Sequence, residues 1–536
     1  MAALIFCVLL SMPGRSFAAD LVLPHVFSNG QVADADDINE NFTAIEHAVD
    51  DNHSRLGTLE AAPEEVRTPI DHLPFNVTSP GAFYLADNLT GAQGITVDAE
   101  DVTLDLMGFT LAGDGSSSGY GIVINSTNVE VRNGTVRDFL SAGIFGVSTA
   151  RNRVINVRVI ANGLSGSSSA HNFMGITLGA YSTVRDCLAE GNGSRGISAG
   201  DYSVITGNTV VGNGSDGIYG GTGSIISKNR IEGNSGDGIY GHSNAIVKDN
   251  TIRVNGEDGI QAGNGSTVTG NVVDGNGSDG IIASEGSTVI GNTVSNNTGD
   301  GIWAIAGGVV IRENSTIGNN GMYGINAGDN SRIHGNLASG NAQFGISGGE
   351  GSTITDNTVR DNLEAGIYGK EGSTIGGNTV TNNSGYGIQG NDGSTITNNT
   401  VKANGGLYGI SGKNGTTITG NTVMDNQNWG IYAGSGAAIK ENSVFTNNLS
   451  DTADQGGIYV YYGDQVRGNT VVDNKQNNIY VYGSYNNVEE NLVVGSGNGI
   501  HFHANRNFYA NNRAATNSVN FDNTAGQTNG GGNTSF

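Results

Sequence analysis

Aliphatic positions return along this chain with a fixed beat. A Gly–Ile pair recurs with Ile at 176, 197, 218, 239, 260, 281, 302, 325, 346, 367, 388, 410, 431, 458 and 500, and Asn478–Ile479 fills the one gap. Most steps are 21 residues long, and the rest add one, two or six, as insertions into loops would. An Asn stands inside each phrase, as at Asn208, Asn229, Asn250 and Asn271. Three places before it is an aliphatic such as Ile205, Ile226, Val247 or Val268, and in most copies another follows two places after it, such as Val210, Ile231, Ile252 or Val273. With the Gly–Ile pair this makes three β-branched positions per phrase, each on a short run cut off by Gly, Asn or Asp. Three short strands joined by turns are the result. The 87 glycines spread along the chain, and the lack of a helical apolar period here, exclude helices from this region.

A period of this length means coils that stack, each burying its apolar face on its neighbours. Like residues on successive coils then lie about 4.8 Å apart, in three parallel sheets around ladders of Val and Ile. The pattern therefore predicts an all-β solenoid, a parallel β-helix of about eighteen coils and roughly 85 Å length at that spacing. The Asn slot alternates with the inward Val two places on, so its amide should point inward at a corner and bond the amide of the next coil. The metre resembles the right-handed parallel β-helix repeat proteins of the pectin-lyase-like superfamily, over roughly Phe75 to Asn512. That resemblance implies the fold and leaves the activity open, because the superfamily holds lyases, hydrolases, epimerases and phage tailspikes alike.

The flanks read differently. Ala2 to Met12 is apolar but too short to span a membrane, and Ser16-Phe-Ala-Ala19 follows it, so residues 1–19 read as a secretory signal peptide. Residues 20–62 hold the only helical pattern: Ile38, Phe42, Ile45, Val49, Leu56 and Leu59 lie on one seam, with Asn52 in the skipped position. Such a heptad seam is either a coiled coil, with a homotrimer through residues 38–59 as the candidate, or one amphipathic helix laid on the end of the solenoid. Residues 63–74 read as a Pro- and Glu-containing linker, 75–512 as the β-helix and 513–536 as a polar tail. Two insertions, Gly163 to His171 and Leu449 to Gln455, should project as loops.

Charge narrows the partners. The net charge of −25 argues against nucleic acid and acidic membrane surfaces. Cys7 lies in the leader, and Cys187 occupies the Asn slot of its coil, so it reads as a small buried residue.

Three outward columns carry candidate chemistry. Asp216, Asp237, Asp258, Asp279 and Asp300 precede the Gly–Ile pair on five successive coils. They are either plain turn residues or a carboxylate stack that calcium would bridge; no cofactor is otherwise called for. One place after Ile stand Tyr219, Tyr240, Trp303, Tyr368 and Tyr432, while Trp429 shares the slot of the Asp column. Exposed aromatic rows suit stacking on sugar rings, which makes a polysaccharide or surface glycan the expected partner; ordinary strand propensity is the alternative. Asp237-Gly-Ile-Tyr240-Gly-His242, with Asp258 on the next coil, gathers the groups that proton abstraction from a uronic acid needs. The alginate-epimerase motif Tyr-Gly-Phe-Asp-Pro-His contains the same residue types in another order. The expected role is extracellular recognition of polysaccharide or cell surface. Polysaccharide lyase or uronate C5-epimerase activity, and a structural fibre or tailspike-like role, are the alternatives.

Overall fold

The computed structural model describes residues 23–25, 34–60, 67–116, 119–164, 173–318, 320–453 and 455–536. They fall into two units, residues 1–67 and 68–536. The leader-like residues 1–19 and most of the loop expected at 163–171 lie outside the described residues.

In the first unit one helix runs Ala35–Glu60. Asp34 Oδ1 accepts the Asp36 N–H at 3.1 Å, and Asp36 and Asp37 sit in the first turn, where carboxylates complement the helix dipole. The expected seam is solvent-facing: Phe42 is 65% and Val49 59% exposed, with Ile38 and Ile45 near 38–39%.

The second unit is the solenoid. Among the described residues every strand pairing in it is parallel and joins a coil to the next: Ile218↔Ile239, Ile226↔Val247 and Ile231↔Ile252 mark the three strands of one coil meeting those of its neighbour. The inward columns are sealed, with Ile239, Val247, Ile252 and Ile281 at 0% exposure. Among the described residues the Gly–Ile sheet alone holds 21 strands, against the roughly eighteen coils expected. The extra coils lie where that metre is absent. Thr68–Ile70 pairs with Gly81–Leu85 inside the stretch expected to be linker, and Ile70 is fully buried. At the other end, Arg513–Ala515 and Val519–Asp522 pair with the preceding coil. Residues 513–536, expected as a polar tail, instead finish one coil and add another, on which Thr534–Ser535 pairs with Arg513–Ala515 and Asn533 extends the Asn ladder by accepting the Asn512 N–H at 3.0 Å.

Buried amides hold the corners. Asn229 donates its backbone N–H and Nδ2 to Asn250 Oδ1 at 2.9 and 3.0 Å, and its Nδ2 also reaches Ile205 O at 3.0 Å. A second ladder, not anticipated from the sequence, runs through Asn213, Asn234, Asn255 and Asn276 at 2.8–3.0 Å between amides. A Ser column (Ser203, Ser224, Ser266, Ser287) lines the remaining corner. Cys187 takes an Asn place as expected: it is 3% exposed, its N–H donates to Asn208 Oδ1, and burial pushes the thiol up to about 11.

The second Asn ladder explains the Gly of each Gly–Ile pair. A Cβ on Gly238 would stand 2.4 Å from Ile252 Cγ2, 2.6 Å from Gly259 O and 2.8 Å from Asn255 Nδ2. Among the described residues the one before a ladder Asn is turned left-handed: Gly in many coils, as at Gly207 and Gly270, polar residues such as Lys228 and Asp249 in others, and even the β-branched Val254 at φ 53° and Thr446 at φ 55°.

Candidate functional site

The Asp column forms, but as a hydrogen-bond ladder. Asp258 N–H donates to Asp237 Oδ1 at 3.0 Å, Asp279 N–H to Asp258 Oδ1 at 2.9 Å, and Tyr323 N–H to Asp300 Oδ1 at 3.0 Å. Asp216 begins the column, where Arg195, one coil earlier in the same slot, pairs with its Oδ2 at 2.8 Å. Burial, then neighbouring carboxylates, raise Asp237 to about 7 and Asp279 to about 6; burial also raises Asp300. Backbone N–H groups thus meet one oxygen of each ladder carboxylate, while burial shifts Asp237, Asp279 and Asp300 towards the neutral form. Among the described residues no group of three or more His, Cys, Asp or Glu side chains stands where it could hold a metal ion, and no cation is assigned to the column.

The aromatic residues do not make one row. Tyr219 and Tyr240 stack at 5.4 Å and 13°, and His242 sets its ring against both at 5.7 and 5.6 Å. Arg195 lies over Tyr219 at 4.1 Å, above a depression of about 290 Å³ lined also by Leu178, Ser198 and Asp201. Arg195 was missed because it occupies a turn slot that elsewhere holds Asp. Asp237 and Asp258 are engaged in the ladder, so the expected grouping of Tyr240, His242, Asp237 and Asp258 resolves into a ring cluster and a carboxylate column. Trp303 is separate: its register neighbours are Ile282 and Asn326. Tyr368 touches Phe344 at 5.7 Å and accepts Asn391 Nδ2 at 3.0 Å.

The longest aromatic run lies further along the same sheet. Tyr386 meets Tyr408 at 5.5 Å, Tyr408 stacks on Tyr432 at 4.6 Å, Tyr432 meets Tyr459 at 5.3 Å and Tyr459 stacks on Tyr480 at 5.8 Å. Tyr461 and Tyr482 form a parallel rank, stacked at 5.8 Å and 7°. Trp429, expected to face solvent, is 6% exposed and backs the run, edge-on to Tyr459 at 5.2 Å and 83°. Burial and adjacent phenols raise Tyr408 and Tyr459, so both hydroxyls stay protonated as donors. The run ends on His501 and His503, which the sequence reading passed over although Tyr480-Val-Tyr482 and His501-Phe-His503 sit one coil apart.

A family model described as a right handed beta helix region matches residues 90–224, 217–298, 282–423 and 348–493. Among curated proteins none matches the chain. Solved structures similar to it include the periplasmic alginate epimerase AlgG, at 13% identity over 67% of this chain and 76% of that one, with a TM-score of 0.25. The mannuronan C-5 epimerase AlgE4 A-module of Azotobacter vinelandii is 16% identical over 68% and 86%, with a TM-score of 0.24. The Dettilon tailspike protein is 14% identical over 77% and 59%, with a TM-score of 0.17.

Proposed function

The chain belongs to the right-handed β-helix family, and from that premise we propose that it holds an extended polysaccharide along the aromatic run from Tyr386 to Tyr480. One observation carries this reading: rings on five consecutive coils touch in sequence on the outer side of one sheet, four of them partly exposed and the last, Tyr480, 7% exposed and closing the run. With about 4.8 Å between steps the rings cover one another's faces and turn their edges and phenol hydroxyls outward, which makes an apolar strip with regularly spaced donors along which successive sugars can lie. Affinity electrophoresis and calorimetry across a panel of neutral and acidic polysaccharides test it. Tyr432→Ala and Tyr459→Ala should each weaken binding about 5–30-fold, the effect of losing about 1–2 kcal/mol of ring contact. Equal affinity in the variants would remove the track from the account.

A uronate lyase or C5-epimerase is a second reading, favoured by the convergence of Arg195, Tyr219, Tyr240 and His242. Formation of unsaturated uronate, or inversion seen by NMR, that is lost in His242→Ala and Tyr240→Phe would establish it. Action outside the cytoplasm, either secreted or at the periplasm or cell surface, belongs to the same proposal and rests on the leader-like residues 1–19. Among the described residues no helix is long and apolar enough to cross a membrane. Self-association through the exposed seam of the helix is likewise part of this reading.

A further inference from the structure

Where the aromatic run ends, the side chains change from a platform to a proton-transfer set. Tyr480 and Tyr482 flank the inward Val481, and on the next coil His501 and His503 flank the inward Phe502. Strand alternation therefore sets two phenols against two imidazoles on one outward face. Tyr480 stacks on His501 with centroids 5.0 Å apart and planes at 5°, and Tyr482 on His503 at 5.0 Å and 7°. Tyr480 Oη lies 3.1 Å from His503 Nδ1. The last coil brings Asp522 into register with His501, and its Oδ2 pairs with His501 Nδ1. That pairing fixes the ring and commits Nδ1 to donation, which leaves Nε2 as the proton acceptor. The His501 side chain keeps 22% exposure, enough for water to reach it.

What the set lacks narrows its chemistry. Hydrolysis of a glycosidic bond uses two carboxyl groups flanking that bond, whereas the carboxylate here is tied to an imidazole. Proton abstraction beside a sugar carboxylate needs a cation to neutralise it, and the arginines of these coils are engaged elsewhere. Arg467 pairs with Glu490, Arg506 with Tyr485, and Arg513 lies over Phe536. A carboxylate-held imidazole base with phenol donors beside it suits attack of water on an ester.

Resting on the reading of the aromatic run as a polysaccharide track, we propose that His501, Asp522 and Tyr482 form a hydrolytic site for O-acyl esters carried by the bound glycan. His501 Nε2 takes a proton from water as the water oxygen bonds to the acyl carbon, and the Tyr482 hydroxyl donates to the carbonyl oxygen as that oxygen gains charge. Collapse of the tetrahedral intermediate breaks the bond from the acyl carbon to the sugar oxygen. His501 returns its proton to that oxygen, so one ester and one water give a carboxylic acid and a free sugar hydroxyl. Asp522 is a positioning residue, acting through His501.

The test uses the full chain with an acetylated polysaccharide and with 4-nitrophenyl acetate, following acetate by NMR and nitrophenol by absorbance. Polysaccharide binding by the same preparation is measured in parallel. Expected are turnover of both esters, a loss of about 100-fold or more in kcat/KM for His501→Ala and His501→Gln, and a lower kcat at unchanged KM for Asp522→Asn, largely restored in Asp522→Glu. Polysaccharide binding without ester turnover, or full activity in both His501 variants, overturns the site and leaves the track standing. Turnover of 4-nitrophenyl acetate without polysaccharide binding sinks the track while the imidazole–carboxylate pair stands.

Discussion

Replacing Asp237 by Asn should stabilise the solenoid at neutral and alkaline pH and do nothing in acid. Asp237 is 5% exposed, lies between Asp216 and Asp258 in the column, and uses Oδ1 to accept the Asp258 N–H. Burial, foremost, and its neighbours raise its carboxyl from 3.8 to about 7. Below about pH 4 the folded and unfolded chains both hold the proton, and the site costs nothing. Between about 4 and 7 the unfolded chain releases it and the folded chain does not, so stability falls as pH rises; above about 7 the penalty is constant. A difference of this size amounts to about 4 kcal/mol. Asn keeps the Oδ1 acceptor and removes the charge, so the variant should gain up to about 4 kcal/mol near pH 8 and lose the advantage near pH 4. Urea unfolding of both proteins, followed by far-ultraviolet circular dichroism across that range, reads the gain. A variant no more stable than wild type near pH 8, or a gain that persists in acid, would refute the reasoning.

Other perturbations follow from the corners of the coil. Gly238→Ala drives a methyl into Ile252, Gly259 O and Asn255, and should cost about 1–3 kcal/mol or more, read as a lower urea midpoint. Asn250→Ala leaves the Asn229 N–H without its acceptor and removes one bond each from Asn229 Nδ2 and Ile226 O, and should cost about 1–3 kcal/mol. Val254→Gly relieves a β-branched residue at φ 53° and should raise stability by about 1 kcal/mol in the same assay. Removing residues 20–62 should convert an oligomer into a monomer with an intact solenoid, seen by sedimentation together with unchanged circular dichroism of the rod, because each coil needs only its neighbours.

The repeating core was legible because inward Ile and Val must recur wherever a coil stacks, and one Asn ladder was legible because it shares that metre. The second ladder hid in plain view: Asn213 and Asn234 lie among glycines and serines and look like turn residues until a structure shows the amides facing inward. The first and last coils escaped because Ile70 and Asn533 sit in stretches whose composition suggests linker and tail. The outward site was harder. Tyr432 and Tyr459 could be placed on one column from the spacing, but Trp429 lies covered by Tyr459 and Tyr480 and Trp303 has Ile282 and Asn326 as its register neighbours, which periodicity does not reveal. His501 and His503 form an alternating pair in register with Tyr480 and Tyr482, but the column changes from phenol to imidazole at that coil, so no repeated residue type marks it.

The central claim is where the glycan lies, and tyrosine footprinting measures that directly. The protein is nitrated with and without a polysaccharide that it binds, and each Tyr is quantified by peptide mass spectrometry. The account predicts protection of Tyr432, Tyr459, Tyr461 and Tyr482 on the aromatic run. It predicts unchanged labelling at Tyr181 and Tyr202, a stacked pair 58% and 56% exposed, in the turns that follow Ile176–Leu178 and Ile197–Ala199, several coils before the aromatic run. Labelling that is the same everywhere in the presence of bound polysaccharide, or protection at Tyr181 and Tyr202 instead, would contradict it.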